Sequence, residues 1–343
     1  MHELAYTENH RPMMAYRREG GTPWHALGTA MEKGESFESW MSRAFPYTLE
    51  SLPITAQTFG AGFHPTQDNN QRTVIAIPNR RAIAMRYNTG VYGDVLSVMS
   101  DRYKIHQPAE IAATFKRWAD DGSLNIETMG TLKGGRRMWA LAKHNGDVDV
   151  VGENHEQYML LYGSCDGSTA SGARFTAVRV VCQNTLSMAL ARDGTVLCKQ
   201  YHRTDFDPAS MTDALGLIPE TMAQYSRDAD ALAGKVITRE QARDFFAAVL
   251  LSKDKQQEVK GSGRVCFSMD DPALLRKVIK TYNSAPGQET EAARGTLWGA
   301  VNAVTRYYDH NSKASDAAAR LDSATFGYGQ RMKAKAMKIA LAA

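Results

Sequence analysis

The chain has 343 residues, 43% of them hydrophobic, and its 41 basic and 37 acidic side chains give a net charge of +4. A chain of this length can bury one large core or two moderate ones without staples, and so small a net charge does not by itself identify a nucleic-acid-binding protein. No run of residues approaches the roughly 18 apolar residues of a membrane span, and no secretory leader is recognised, so the sequence predicts a protein of the cytoplasm.

The first half of the chain is predicted to be rich in strands. A helix is expected over Ser36 to Ala44, and a second helix from Pro108 to Trp118, because proline is favoured in the first turn of a helix. Between these helices lie alternating and β-branched runs bounded by proline, asparagine or glycine, which is typical of a strand meander. The predicted strands are Thr73–Ile77, Arg81–Tyr87 and Val95–Ser100.

Two further strand pairs are predicted after this meander. The first pair, 125–132 and 136–143, is joined through Lys133-Gly-Gly135, whose glycines can supply the positive φ of a tight turn. The second pair, 157–164 and 173–181, brackets the loop 166–172, which is polar and long enough to contact a partner.

The pattern turns helical from Asn184 onward. Thr238 is the expected N-cap of one of these helices, and the polar run 253–263 is interpreted as an exposed or disordered loop. The predicted helices are Met211–Leu232, Arg239–Leu251, Pro272–Tyr282, Glu289–Asp309 and Arg331–Leu341. The fold class predicted from this order is α+β, an antiparallel β-meander and hairpin-rich N-terminal half followed by an α-helical C-terminal half, with domains at 1–205 and 206–343.

Charge follows the same division of the chain. Residues 72–143 carry twelve bases and six acids, a net of +6, whereas residues 205–258 carry six bases and ten acids, a net of −4. Such blocks predict two surfaces of opposite sign that can meet between neighbouring subunits.

Familiar catalytic motifs are missing from the sequence. It contains no Gly-x-x-x-x-Gly-Lys-Ser phosphate loop, no Gly-x-Ser-x-Gly and no His-Glu-x-x-His. Any action on nucleic acid is therefore expected to be independent of ATP, and no cofactor, metal site or catalytic residue is assigned.

A thiol–imidazole pair is the remaining route to catalysis. Cys182 or Cys165 could pair with His25, His155 or His202, but sequence alone cannot bring these residues together. The simpler interpretation of Cys182 is a small buried residue at the end of a strand. None of the four cysteines has Cys-x-x-Cys spacing, so they are expected to be reduced.

Basic and aromatic residues alternate on the predicted strands and hairpins. Arginine and lysine neutralise phosphates, and bases stack on aromatic rings at about 1–3 kcal/mol each, so this pattern favours a surface that binds single-stranded nucleic acid. The alternative is a set of charged strand ends that only discourage aggregation. The candidate DNA-binding residues are Arg80, Arg81, Arg86, Arg102, Tyr103, Lys104, Lys133, Arg136, Arg137, Trp139, Arg174 and Arg179.

Several segments together resemble a phage/plasmid-like protein family catalogued as a domain of unknown function. They are Thr22-Pro-Trp-His-Ala-Leu-Gly-Thr29, Ser100–Ile105, Arg179–Leu186, and Leu297–Thr305 ahead of Gly327-Tyr-Gly329. The resemblance extends from about residue 20 to residue 335, with Ala26 where many members have glycine. It implies a bacteriophage or other mobile element and the host-cell cytoplasm, but no reaction.

The sheet-then-helix plan is in turn similar to phage single-strand annealing recombinases of the Red-beta and Erf-like kind, which work without ATP as rings or helical filaments. No motif of those proteins transfers residue by residue, so this likeness stays at the level of the fold. The leading hypothesis is therefore an oligomeric, ATP-independent single-stranded DNA-binding and annealing protein of DNA recombination. Its candidate partners are single-stranded DNA, a second copy, a phage exonuclease and a host single-strand-binding protein.

Two rival hypotheses belong to other classes. One is a cysteine- or histidine-dependent enzyme used in phage takeover of the host. The other is a protein that binds a host factor, for which a large exposed apolar patch would be the signature.

Overall fold

A computed structural model describes residues 4–20, 28–59, 72–146, 148–150, 152–179, 184–186, 196–261, 272–315, 319–320, 323–324 and 327–343. The first part is rich in antiparallel strands, and residues 208–342 are mostly helical. The predicted α+β fold class is therefore confirmed.

Twelve strands are present in the described part of the chain. They are β1 (Met14–Arg17), β2 (Thr29–Met31), β3 (Tyr47–Phe59), β4 (Arg72–Tyr87), β5 (Tyr92–Ser100), β6 (Leu124–Leu132), β7 (Arg137–His144), β8 (Val148–Val150), β9 (Glu153–Ser164), β10 (Ser171–Arg179), β11 (Asn184–Leu186) and β12 (Val196–Gln200).

Three helices belong to the strand-rich part and the others follow it. They are α1 (Phe37–Ala44), α2 (Pro108–Ala113), α3 (Lys116–Asp120), α4 (Pro208–Leu215), α5 (Ile218–Ala233), α6 (Arg239–Leu250), α7 (Lys253–Gly261), α8 (Ala273–Ser284), α9 (Leu297–Arg306) and α10 (Tyr328–Ala342). A π-helical turn, Tyr307–Asn311, extends α9.

The described strands form two sheets. The nine-stranded sheet has the order β11-β10-β9-β7-β6-β1-β2, with β12 paired to β10 and β8 paired to β9. Its pairings are antiparallel except for β1 with β2. The small sheet has the order β3-β4-β5.

The hairpin between β6 and β7 confirms the turn predicted at Lys133-Gly-Gly135. Lys133, Gly134 and Gly135 all have positive φ, at 54°, 63° and 110°. Gly135 is needed for a second reason, because a Cβ there would lie 2.5 Å from Cε of Met85 in the small sheet.

The N-cap predicted at Thr238 is confirmed, and the helix predicted from Ser36 has a cap that the sequence analysis does not assign. The side chain of Ser36 accepts a hydrogen bond from the backbone N–H of Ser39 at the start of α1. Thr238 forms a full capping box with Gln241 at the start of α6, which supplies partners for the unpaired N–H groups of the first turn.

The small sheet differs from the prediction in two respects. The sequence predicts no strand where β3 lies, and the second difference concerns β4. Thr73–Ile77 and Arg81–Tyr87 are parts of one strand, β4, rather than two strands. The register of β3 with β4 shifts by several residues between Pro53, which pairs with Arg81, and Thr55, which pairs with Ala76. The signals at 78–79 that suggested a break mark a β-bulge.

The expected helical pattern from Asn184 is wrong at β11 and β12, because both strands extend the large sheet by pairing with β10. The prediction of a loop at 253–263 is wrong over Lys253–Gly261, which forms α7. Lysine, glutamine and glutamate favour helices, and no proline interrupts them.

Other helices begin or break where local chemistry requires it. The helix predicted over 211–232 divides into α4 and α5 because Pro219 lacks the N–H that would continue the ladder. The helix predicted from Glu289 begins only at Leu297, where Thr296 is the N-cap after Gly295 at φ 68°. The predicted helix 108–118 is present as α2 and α3.

The core lies between the large sheet and the helices. On the helix-facing side of the sheet, Met159, Leu161 and Phe175 are fully buried, and Phe175 contacts Tyr225 of α5, with ring centroids 6.2 Å apart. Buried residues from both halves of the chain form one continuous cluster, while the predicted boundary near residue 205 stays a prediction.

Candidate nucleic-acid interface

The face of the large sheet that points away from the helices carries rings and cations. Because side chains alternate across a strand, Trp139, Lys143, Tyr158 and Arg174 all project from this face, and each is half-buried. We refer to it as the aromatic face. The residues that alternate with them along the same strands, such as Met159, point into the core.

Four residues line up across the aromatic face on adjacent strands. Gly130 of β6 pairs with Trp139 of β7, Trp139 pairs with Tyr162 of β9, and Tyr162 pairs with Gly172 of β10. The two rings are therefore flanked by the two glycines, one on each side.

Each ring lies over the glycine beside it. A Cβ on Gly130 would lie 2.6 Å from the Trp139 ring, and a Cβ on Gly172 would lie 2.7 Å from the Tyr162 hydroxyl oxygen. Because both glycines lack a side chain, the rings can lean across the sheet. Trp139 is half-buried, while Tyr162 is buried.

Cations lie beside these rings. The guanidinium of Arg174 lies 5.2 Å from the centroid of the Tyr162 ring, close enough for a cation–π interaction. Lys199 of β12, which pairs with Gly172, places its ammonium 4.8 Å from the Tyr201 ring. Burial raises the pKa of Tyr162 and the neighbouring Arg174 lowers it, the burial effect being larger.

Lys143 and Tyr158 share one carboxylate at the far end of the aromatic face. Glu156 accepts hydrogen bonds from Nζ of Lys143 at 2.7 Å and from the Tyr158 hydroxyl at 2.6 Å. These bonds fix the direction of both side chains, so this end of the face is preorganised.

Of the predicted DNA-binding residues, the structure places Trp139 and Arg174 together on the aromatic face. Arg80, Arg81 and Arg86 lie instead on the small sheet. Arg81 donates to the Ser51 carbonyl at 2.8 Å, and Arg86 pairs with Glu50 at 2.9 Å, so these two arginines brace neighbouring strands.

The segment Arg102-Tyr103-Lys104 lies against the residues that follow β12. The Tyr103 ring stacks on the ring of His202 with centroids 4.6 Å apart, and Lys104 pairs with Asp205 at 3.2 Å. Arg102 is exposed. This segment therefore packs against the end of the strand-rich half.

The hairpin arginines have structural partners. Nε of Arg136 donates to the carbonyl of Leu96 at 2.7 Å, which satisfies part of the edge of β5. Arg137 is 6% exposed and donates to Ser168. Lys133 occupies the turn itself.

Arg179 ends β10, where its backbone pairs with His155, and its side chain lies outside the described residues. The DNA-binding role of all twelve predicted residues stays a prediction.

Sequence reasoning missed Tyr158, Tyr162, Lys143 and Lys199 as members of this face. A signal was present, since the alternation Tyr158, Leu160, Tyr162 places both tyrosines on one side of a strand. Which strands are neighbours could not be read from the sequence.

The thiols give little support to an enzyme. Burial and, to a lesser extent, the Asp166 carboxylate raise the pKa of Cys165 to about 12, so it is a protonated thiol at neutral pH. Cys182 and His25 lie outside the described residues, so the pairs that involve them stay untested.

One buried polar chain lies under the helix-facing side of the sheet. Nδ1 of His155 is 2.5 Å from the Tyr225 hydroxyl, and its Nε2 is 3.7 Å from a Glu153 oxygen. His155 and Glu153 are 0% and 4% exposed. Such burial is typical of a structural network that orients the core.

In the part of the chain that the structure describes, no group of three or more His, Cys, Asp or Glu side chains could hold a metal ion. None of the described helices is both long and apolar enough to cross a membrane.

No curated protein and no solved structure matches the chain. Residues 95–326, about two thirds of the chain, match the model of a domain of unknown function (DUF932). The match begins after the Thr22–Thr29 segment, so it does not depend on that motif. The chain therefore belongs to the DUF932 family, whose description assigns it no activity.

Proposed function

We propose that the protein binds single-stranded DNA on the aromatic face and anneals complementary strands without ATP, as a homo-oligomer encoded by a phage or other mobile element. The observation that supports this proposal is the arrangement of Trp139 beside Tyr162, with Arg174 over the tyrosine ring, on one half-buried sheet face. The family description supplies no activity, so the proposal rests on the chemistry of this face.

The aromatic face combines the two interactions that a single strand requires. Bases stack on an aromatic ring at about 1–3 kcal/mol each, with little dependence on sequence. Arginine and lysine contribute by neutralising phosphates, which releases condensed counterions. Arg174 and Lys199 flank the rings, so the backbone of a bound strand has cations on the β10–β12 side.

The annealing activity is the finer part of the proposal and is supported by the general plan of a sheet followed by helices. On this reading the protein acts in DNA recombination in the host cytoplasm as a ring or filament. A phage exonuclease and a host single-strand-binding protein are its proposed partners.

The direct test is to replace Trp139 with alanine. We expect Trp139→Ala to weaken the binding of a labelled oligothymidine by about 5- to 150-fold, which corresponds to the loss of one stacking contact. Fluorescence anisotropy measures the dissociation constant. The matched control is Trp118→Ala, which removes another half-buried tryptophan from α3, and we expect it to bind like the unmodified protein.

Equal binding by the Trp139→Ala and Trp118→Ala proteins would contradict the proposed site. Annealing is measured separately, by the rate at which two complementary labelled strands pair without ATP. A rate no greater than that of the strands alone would contradict the annealing activity, even if binding were observed.

A further inference from the structure

The hairpin of β3 and β4 extends beyond the body of the protein as an arm. Side chains of residues 74–80 are exposed, whereas further along the same strand Ile83 and Met85 are 1% and 2% exposed and lie in the core. The large aliphatic residues of the arm are Val74, Ile75 and Ile77, which are 57%, 51% and 40% exposed.

Both faces of the arm are apolar. Ile75 and Ile77 point to one side and Val74 to the other, because side chains alternate along a strand. The β-bulge at Pro78 and Asn79, where φ is 57°, separates the arm from the part of β4 that packs on the core. A bulge bends a strand and increases its twist, so the arm is directed away from its own core.

An isolated two-stranded hairpin is only marginally stable in water, and clustered exposed aliphatic residues mark interaction sites. Burial of such side chains contributes about 25 cal/mol per Å² of apolar surface. Burial of the arm by a partner would therefore stabilise both the complex and the hairpin.

Charge points to the nature of this partner. Residues 51–81 contain three arginines (Arg72, Arg80 and Arg81) and one acid (Asp68), a net of +2, whereas residues 205–258 have a net charge of −4. The acidic segment 205–258 of a second copy, which contains α4 to α6, is therefore electrostatically complementary to the arm.

The helical part also offers an apolar contact point. Leu217, between α4 and α5, is 48% exposed, and Asp213 and Glu220 on either side of it are exposed as well. An aliphatic residue flanked by carboxylates complements aliphatic residues flanked by arginines.

We propose that the arm of one copy docks on the α4–α5 junction of a second copy, with Ile75 and Ile77 against Leu217 and the exposed Arg80, at the base of the arm, beside Asp213 and Glu220. This inference rests on the homo-oligomer of the proposed function and assigns its interface. The two surfaces are different, so the contact is heterologous and repeats from copy to copy, producing a ring or an open filament.

The experiment uses two variants at exposed positions, so that the fold is preserved. Ile75→Asp places a charge in the apolar contact surface of the arm, and Leu217→Asp places a charge in the docking site. Val236→Asp is the control, since Val236 is 79% exposed and belongs to neither surface. Circular dichroism checks the fold, and size-exclusion chromatography with light scattering measures mass.

We expect the unmodified protein and Val236→Asp to form higher oligomers, and each of the other two variants to be a monomer. An equimolar mixture of Ile75→Asp and Leu217→Asp should form a dimer and grow no further, because each dimer holds one intact arm in one intact docking site. This complementation is specific to a heterologous contact.

Three outcomes would overturn the inference: an unmodified protein that is monomeric with and without DNA, a Leu217→Asp protein that assembles normally, or a mixture that stays monomeric. Oligonucleotide binding by the Ile75→Asp monomer separates this inference from the proposed function. Trp139 is intact there, so loss of assembly with retained binding supports both proposals. An unmodified monomer that binds DNA would contradict the arm and the homo-oligomer but not DNA binding by the aromatic face. Complementation without DNA binding would contradict the DNA-binding function and leave the arm interface supported.

Discussion

Two glycines determine where the rings of the aromatic face lie. A methyl group on Gly130 would meet both the Trp139 ring and the carbonyl of Met13, at 2.6 and 2.8 Å. Gly172 is equally confined, since a Cβ there would lie 2.6 Å from the carbonyl of Cys198. The absence of a side chain at these positions therefore shapes a surface formed by other residues.

A buried ion pair near the C terminus yields a prediction of stability. Nζ of Lys333 is 2.6 Å from Oδ1 of Asp309, and the two side chains are 2% and 8% exposed. Lys333→Met leaves a buried carboxylate uncompensated, so we expect the free energy of unfolding to fall by about 3–5 kcal/mol. Urea denaturation measures this change. Lys338→Met, at an exposed position of α10, is the control and should change stability by less than about 0.5 kcal/mol.

A loss below about 1 kcal/mol for Lys333→Met would contradict the burial of this pair.

Cys165 gives a prediction about reactivity. Burial keeps its pKa near 12, and the thiolate is the species that alkylates, so iodoacetamide at pH 8 should leave Cys165 unmodified in the folded protein. Peptide mapping by mass spectrometry identifies the modified cysteines, and the same reaction in urea is the control. Equal labelling of Cys165 in the folded and unfolded protein would show that the thiol is accessible.

At the scale of the elements, the sequence predicted best where local chemistry determines the structure. The glycine turn after β6 and the cap at Thr238 depend on neighbouring residues alone, and both are present. The predictions failed where a distant partner decides. β11 and β12 are strands because β10 provides hydrogen-bond partners, which no local pattern shows.

The start of α9 gives a prediction at this scale. A Cβ on Gly299 would lie 2.0 Å from the carbonyl oxygen of Ala293, so the preceding loop can approach the helix only because this residue has no side chain. We expect Gly299→Ala to destabilise the protein by about 1–3 kcal/mol, as overpacking does. Thermal unfolding measures the loss.

Gly234→Ala is the matched control, because a Cβ there meets its nearest atom at 3.5 Å and φ is −70°. This control should be neutral or stabilise by up to about 1 kcal/mol, through the lower entropy of the unfolded chain. If Gly299→Ala and Gly234→Ala had the same midpoint of thermal unfolding, the close contact between the loop and α9 would be contradicted.

For the whole molecule, the register of the large sheet determines what the candidate site contains. The sequence identified Trp139 and Arg174 but also residues of the small sheet, of the turn after β6 and of the Arg102–Lys104 segment, because charge and aromaticity do not reveal which strands are neighbours. β7 pairs with β9 rather than β8 along its length, and this pairing brings Trp139 next to Tyr162. Arg136 and Arg137 instead donate hydrogen bonds within the protein, to the Leu96 carbonyl and to Ser168.

The uneven charge of the chain is connected to the arrangement of the molecule. The basic segment 72–143 supplies β4 and β5 of the small sheet and β6 and β7 of the large sheet, whereas the acidic segment 205–258 supplies α4 to α6. A chain with these separate surfaces can bind phosphates with one and a second copy with another, which is the combination that an annealing ring or filament requires.

The salt dependence of DNA binding tests the central claim most directly. The dissociation constant of a labelled oligothymidine is measured by anisotropy from about 50 to 200 mM salt, for the unmodified protein and for Arg174→Gln. Since each neutralised phosphate of a single strand contributes a slope of about −0.7 to log K against log salt, binding should weaken steeply, and Arg174→Gln should reduce the slope by about one phosphate. Absence of binding at the lowest salt, or binding that does not change with salt, would contradict single-stranded DNA binding by the aromatic face.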